Sequence, residues 1–364
     1  MMELNCLCDI YSGYAFKSFN DTSDGIPVIK IGNILSDGTI ELTDCVYTEE
    51  VPKEKYYSKK DDIYIALSGA TTGKIGVMQT DGLYVINQRV GIIRNKGKIP
   101  NDYLKYFLVS KSNQILKEAS GCAQPNISPK QISKYDISIQ TEEKMLLITQ
   151  QLKKIEVILQ NYRNQIDLLD ELVKARFVEM FGDMKPTVKL NKYIIELRAG
   201  KSLAGNEICK NKVLKTGAAT FGFFDKDQYK YYPKEYKPNP LHKVETGDVI
   251  ISRMNTPELV GACSYVYEAP DNTYYPDRLW KVIVNENTNP IFLWQLMWQQ
   301  EIRKQIKENS YGTSGTMNNI SKIKLLNINA IDVPISLQNQ FADFVKEVDK
   351  SRFIIKSMIK EGLL

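Results

Sequence analysis

The chain is 364 residues long, 43% apolar and 25% charged, ordinary values for a globular protein with room for two or three domains that each bury a core. A net charge of +5 over that length is compatible with a polyanionic partner without demanding one. Six cysteines stand without a C-x-x-C pair beside a single histidine, His242, which argues against a structural zinc site. The opening MMELNCLCDIYSG lacks the basic region and apolar run of a secretory signal, and no stretch has the length of a membrane span. A reduced, cytoplasmic protein with no membrane contact is expected.

Up to about Ser138, short apolar runs alternate with Gly, Asp, Asn and Pro. Strands are predicted over 26–31, 61–67, 75–78, 83–86 and 90–93, separated by the loop Ser68 to Lys74 and the turn Asn87-Gln88-Arg89. A helix capped by Asp102 is predicted over 103–117, then a polar loop over 120–129 and a short strand over 135–139.

A long helix follows, over 141–181. Ile148, Leu152, Ile155, Leu159, Tyr162, Ile166, Leu169 and Val173 alternate four- and three-residue steps, a heptad seam flanked by charged and amide residues. No glycine or proline interrupts it before Gly182, and Glu142 and Glu143 suit the positive end of the helix dipole. At about 1.5 Å per residue it would run roughly 60 Å, longer than a small domain is wide, and so reads as a spacer or a pairing arm.

After Gly182 the pattern recurs at an offset near 190 residues. Asp61 to Ala66 is matched by Thr246 to Ile251, Asn87-Gln88-Arg89-Val90 by Pro276-Asp277-Arg278-Leu279, and Asn126-Ile127-Ser128 by Asn319-Ile320-Ser321. The helix over 103–117 is matched over 291–307, and a second amphipathic helix is predicted over 338–363. It carries Phe341, Val345, Val348, Ile355 and Ile359 at four-three steps, with Arg352 interrupting. The period is too long for a solenoid unit and right for a duplicated domain. The predicted architecture is α+β: two similar α/β domains joined by two long helices, antiparallel and coiled about an approximate two-fold axis.

Catalytic constellations are poor. Ser68-Gly69-Ala70-Thr71-Thr72-Gly73-Lys74-Ile75 misses the phosphate-loop spacing by one residue and has Ile75 where a magnesium-binding hydroxyl belongs. Asp227 with Glu235, and Asp136 with Glu142 and Glu143, do not make a convincing metal-holding set. No [DN]-P-P-[YFW] run is present, and no Ser/His/Asp or Cys/His set assembles around His242.

What remains is polar loops at matching places. In the first half these hold Ser68, Thr71, Thr72, Lys74, Asn87, Gln88, Arg89, Gln124, Asn126 and Lys130; in the second, Arg253, Asn255, Thr256, Arg278, Thr313, Ser314, Thr316, Asn318, Asn319 and Lys322. Arg, Asn and Gln can read purine edges with two hydrogen bonds, while Lys, Ser and Thr suit phosphates. Divergent loops on a repeated scaffold are what two different specificities require, and surface drift is the rival explanation.

In that order, twice, these segments resemble the specificity subunit of a type I restriction–modification system over nearly the whole chain. The resemblance rests on Asp62-Ile63, Ser68 to Gly76, Asn87-Gln88-Arg89-Val90, Gln124-Pro125-Asn126-Ile127-Ser128 and the coiled helix. It implies a first target-recognition domain over 1–139, a central helix over 140–182, a second target-recognition domain over 183–336 and a C-terminal helix over 337–364. Each domain would read one half of a split site in double-stranded DNA, with the helices setting the gap. Two methyltransferase subunits would dock on the helices, with restriction/translocase subunits as further partners. S-adenosylmethionine, ATP and Mg would belong to those partners, and this chain would bind no cofactor and no metal and catalyse nothing. Two departures stand out: Arg253 to Gly261 matches the first glycine-rich loop by position alone, and the second long helix is shorter than the first. A protein-binding coiled-coil scaffold without DNA specificity is the rival.

Overall fold

The structure, a computed structural model, describes residues 1–20, 24–119, 125–312 and 317–362. The chain divides into two compact units, Met1–Gln160 and Asn161–Leu364, each holding part of the long helix.

The first unit runs β1 (Met2–Glu3), β2 (Cys8–Ser12), β3 (Ile26–Ile29), β4 (Val46–Thr48), β5 (Ile63–Ala66), β6 (Ile75–Val77), β7 (Val85–Ile86) and β8 (Val90–Asn95). Then come α1 (Asn101–Ser110), α2 (Ser112–Ala119), α3 (Pro129–Ile132), β9 (Asp136–Ile137) and the start of α4 (Glu142–Phe181). The main sheet is antiparallel, ordered β2-β8-β5-β6; a smaller one is ordered β4-β3-β7 with β3 and β7 parallel; β1 pairs with β9. All four residues of β5 are buried, because both faces of the main sheet are covered. Ile63, Ile65 and Ile93 pack beneath Leu104, Leu108 and Ile115 of the helices, while Tyr64 and Ile92 pack against Ile29 and Ile34 beside the small sheet.

The second unit repeats this wiring. It runs β10 (Pro186–Lys189), β11 (Ile194–Ala199), β12 (Lys212–Leu214), β13 (Tyr229–Tyr231), β14 (Val249–Ser252), β15 (Met254–Asn255), β16 (Cys263–Tyr265), β17 (Thr273–Tyr274) and β18 (Leu279–Val284). There follow α5 (Pro290–Met297), α6 (Gln300–Asn309), β19 (Asn318–Asn319), α7 (Lys322–Leu326), β20 (Asn329–Ile331) and α8 (Ile335–Gly362). Its main sheet is ordered β11-β18-β14-β16, its small sheet β13-β12-β17 with β12 and β17 parallel, and β10 pairs with β20. Even the left-handed turn before the central strand recurs, at Asp61 (φ 68°) and Gly247 (φ 94°). The fold is therefore α+β and duplicated, with two long helices.

Several boundaries differ from the sequence-based expectation. The single helix expected over 103–117 is two, because Lys111 caps α1 by donating to the carbonyls of Leu108 and Val109. The helix expected over 291–307 is likewise two: Gln299 is extended (ψ 141°) and the Trp298 indole N–H donates to the Cys263 carbonyl at 2.8 Å. Strand β1 was not expected at all. The last helix starts at Ile335, not 338, and Gln338 is buried inside it, donating to the Val333 carbonyl at 2.7 Å and accepting from Asn289 N at 2.9 Å.

Within the second unit the end of α4 lies against α8. Phe341 meets the rings of Phe177 and Phe181 at 5.4 and 5.6 Å, whereas Arg352 pairs with Asp170, so the two helices run antiparallel here. Phe341, Val345 and Val348 are buried in the core of this unit with Val173 and with Phe292 of α5, rather than forming a seam clear of any domain. Ile166 and Leu169 of α4, and Ile355 and Ile359 of α8, are half-buried. In the first unit Ile148, Leu152 and Leu159 are half-buried and Ile155 is exposed; Lys105 and Tyr106 of α1 hold Glu156 of α4 at 3.0 and 2.8 Å.

Candidate nucleic-acid interface

At one end of the first main sheet three loops are tied to a single residue. Leu67 donates its N–H to the Arg89 carbonyl (2.9 Å) and accepts at its own carbonyl from Ile127 N (2.9 Å). Ser68 bridges Asn126, and Gly69 N donates to the Pro125 carbonyl (3.1 Å). The glycine-rich loop, the 87–89 turn and the 125–130 segment therefore converge, although their sequence positions span about sixty residues.

The second unit builds the same relay. Arg253 N donates to the Arg278 carbonyl (3.1 Å), and the Arg253 carbonyl accepts from Ile320 N (3.0 Å). Met254 and Asn255 then pair with Asn319 and Asn318. Arg253 stands where the first unit has Leu67, which is buried. Its guanidinium lies 5.7 Å from the Trp280 ring and donates from Nε to Asn319 Oδ1 at 3.4 Å.

Not every candidate side chain is presented to a ligand. Thr72 is buried, its hydroxyl donating to the Gly69 carbonyl at 2.7 Å. Asn87 is buried too, its Oδ1 accepting from Arg89 N at 3.0 Å. Both shape turns. Gln88, Arg89, Asn126 and Lys130 are exposed, and Ser68, Thr71 and Lys74 half-buried. In the second unit Thr256, Arg278 and Lys322 are exposed. Arg253, Asn255, Asn318 and Asn319 are half-buried; Asn255 Oδ1 accepts from Thr256 N at 2.9 Å and Asn318 Nδ2 donates to Ser310 Oγ at 2.9 Å. Gln124, Thr313, Ser314 and Thr316 lie outside the described residues.

Sequence reasoning missed the segment beside the second turn. Gly200 N donates to the Pro276 carbonyl (3.0 Å), and Ser202 Oγ bonds Asp277, which ties the segment holding Lys201 to the turn that carries Arg278. Burial first, then the nearby charges of Arg198 and Lys201, pull the His242 imidazole below its ordinary 6.5, so it is neutral at pH 7. The glycine spacing was the available signal: Gly13 holds the equivalent place in the first unit and donates to the Val90 carbonyl at 2.9 Å, on the far side of its turn. Among the described residues no three His, Cys, Asp or Glu side chains group as a metal site, and no helix is long and apolar enough to cross a membrane.

Fold and site together define a duplicated α+β protein, with three polar loops gathered at the end of each main sheet. Residues 1–174 match the family model described as type I restriction modification DNA specificity domain. The crystal structure of the type I restriction–modification system S subunit from M. genitalium shares the fold: 14% identity, all of this chain and 92% of that one covered, TM-score 0.52. A chain from work on complex assembly and conformational transition of the type I R-M system is 16% identical, with 99% and 92% covered and a TM-score of 0.49. The HsdS subunit from Thermoanaerobacter tengcongensis is 14% identical, with 98% and 90% covered and a TM-score of 0.38. No curated protein sequence matches.

Proposed function

We propose that this chain is the non-catalytic specificity subunit of a type I restriction–modification complex, and that each unit reads one half of a bipartite site in double-stranded DNA. The observation that carries this reading is the same backbone relay in both units, Leu67 with Arg89 and Ile127, Arg253 with Arg278 and Ile320, under side chains that differ. A shared scaffold fixes where the loops sit, and divergent side chains then read different bases. Phosphate neutralisation supplies affinity and base contacts supply discrimination.

Helices α4 and α8 serve in this reading as the spacer and as the docking site for two methyltransferase subunits, with restriction/translocase subunits joining the assembly. Exposed apolar residues on α4, among them Ile155, Val157, Ile158 and Leu168, support docking there, since such side chains favour a partner over water. The methyltransferase subunits would bring S-adenosylmethionine, and the translocase ATP and Mg. The test is selection of bound sequences from random duplex, with and without methyltransferase subunits. Two short fixed blocks separated by a constant gap are expected. Absence of any sequence enrichment would favour a protein-binding scaffold.

A further inference from the structure

The small-sheet lobes of the two units differ in charge although their wiring is the same. Residues 13–56 and 200–243 are corresponding stretches of equal length, each opening on the glycine that docks against its turn and closing at the bridge back to β7 or β17, which Tyr57 makes just after the first and Lys243 makes as the last residue of the second. The first holds four lysines against eight carboxylates, a net of −4; the second holds nine lysines against four, a net of +5. The charge of the whole chain is thus matched by one lobe of the second unit.

Three structural facts give that difference a direction. Of the nine lysines only Lys226 and Lys234 have a carboxylate partner among the described residues, Glu268 and Glu207. Lys201, Lys210, Lys215, Lys230, Lys237 and Lys243 are exposed, and Lys212 lies 4.5 Å from the Tyr229 ring, a basic surface interleaved with aromatic rings. Both ends of the stretch are sewn to the strand that leads into Arg278, through Gly200 to Pro276, Ser202 to Asp277 and Lys243 to Tyr274. In the first lobe the residue after the docking glycine is Tyr14, stacked edge-on with Phe16 and Tyr56, not a lysine. Two of its acids, Asp37 and Glu41, are held below the ordinary carboxylate range by hydrogen bonds from Thr39 and Thr43.

We infer that residues 200–243 form a phosphate-holding lobe that supplies most of the salt-dependent affinity for duplex DNA, and that 13–56 supplies almost none. The inference rests on the DNA-binding function proposed above and adds an asymmetry that the duplication does not predict. Each phosphate neutralised by a lysine releases condensed counterions, so the slope of log K against log salt counts the contacts, at about 0.9 per phosphate on B-form duplex. The second unit holds the DNA while both units read it.

The experiment uses the full chain with its methyltransferase subunits and a random-sequence duplex, with anisotropy followed over a salt series. Replacing Lys215, Lys230 and Lys237 together by Gln should lower the slope by about 2–3 and leave the selected sequence unchanged. The same replacement at Lys17, Lys53 and Lys55 should change it by less than about 1. Lys215→Gln alone, a single exposed change, guards against loss of folding and should lower the slope by about 0.9. Equal effects of the two triple variants, or no effect of the first, overturn this inference and leave the DNA-reading function standing. A wild-type complex that binds no duplex at any salt overturns both.

Discussion

Arg94 grips both carboxylate oxygens of Asp62, from Nε to Oδ1 at 2.7 Å and from Nη2 to Oδ2 at 2.6 Å, while Asp62 Oδ2 also accepts from Lys59 N at 2.8 Å. The second unit keeps the acid and changes the cation. Asp248 Oδ2 accepts from Glu245 N at 2.8 Å, and the partner is Lys281 at 3.0 Å. Ile63 pairs with Ile93 and Val249 with Val282, so Lys281 stands level with Ile92, two residues before Arg94 on the same face of its strand. The acid closes the turn into the central strand; the cation neutralises it from whichever same-face position carries one.

Asp62 is buried and Arg94 is 20% exposed, so removing the acid strands a guanidinium that reaches little water. Asp62→Ala should cost about 3–5 kcal/mol, the usual result of breaking a buried pair from one side. Urea unfolding of the full chain measures it. Arg94→Met added to Asp62→Ala should recover part of the loss; no recovery would mean that the turn contact to Lys59, not the pair, carries the stability.

In the second unit the corner acid titrates above its ordinary value. Burial raises the Asp248 carboxyl above its ordinary 3.8, outweighing the hydrogen bond from Glu245 and the pull of Lys281. With the folded pKa the higher one, the charged form opposes folding at neutral pH, and that opposition fades as pH falls through the folded pKa towards 3.8. Glu245 is the reverse case: its hydrogen bond from Lys281 lowers it from 4.5, so its contribution is present above 4.5 and lost below, as pH falls through its folded pKa. Of these two acids only Asp248 contributes between neutral pH and about 4.5, and the His242 contribution is common to wild type and variant. Wild type should therefore gain stability relative to Asp248→Asn on moving from pH 7 to about pH 5, read as the difference of their urea midpoints. A difference that stays constant over that range would show that the acid keeps its ordinary pKa.

The duplication was legible because it is written in buried strands. Ile63 to Ala66 and Val249 to Ser252 are continuous apolar runs, each preceded by an aspartate that closes a turn, and such runs survive divergence elsewhere. Contacts made at long range were not legible. Met2–Glu3 is too short to show a period and becomes a strand only because Asp136–Ile137 lies beside it. No glycine or proline marks the break after Trp298; it follows from an indole N–H satisfied by the distant Cys263 carbonyl. In the loops the ambiguity is chemical. Thr and Asn suit DNA contacts and suit turns equally, and Thr72 and Asn87 proved to be spent on their own backbone.

Gly13 and Gly200 are required by close approach rather than by backbone angle. A methyl group on Gly13 would fall on the Ile86 and Asn87 carbonyl oxygens, and one on Gly200 on the Tyr275 carbonyl oxygen. None of these oxygens can withdraw, since each belongs to a turn held by backbone hydrogen bonds. Gly13→Ala and Gly200→Ala should each destabilise their own unit by about 1–3 kcal/mol, as overpacking does. Limited proteolysis should find new cuts near residue 20 in the first variant and near 210 in the second. Cuts scattered over both units in either variant would show that the damage is not local.

Arg89 and Arg278 occupy the same corner of the two relays, each with its carbonyl spent on the scaffold and its side chain exposed. Removing either guanidinium leaves the backbone bond, so the loop keeps its place and only the projecting group is lost. If each unit reads one half-site, Arg89→Ala should relax sequence preference in one block and Arg278→Ala in the other, at about 1–3 kcal/mol per lost base contact. Thr72→Val provides the contrast: its hydroxyl serves the Gly69 carbonyl, so it should lower stability by about 1 kcal/mol without altering which bases are selected. Sequencing of bound duplexes after selection separates these outcomes. Equal weakening of both blocks by either arginine variant would sink the assignment of one unit to one half-site.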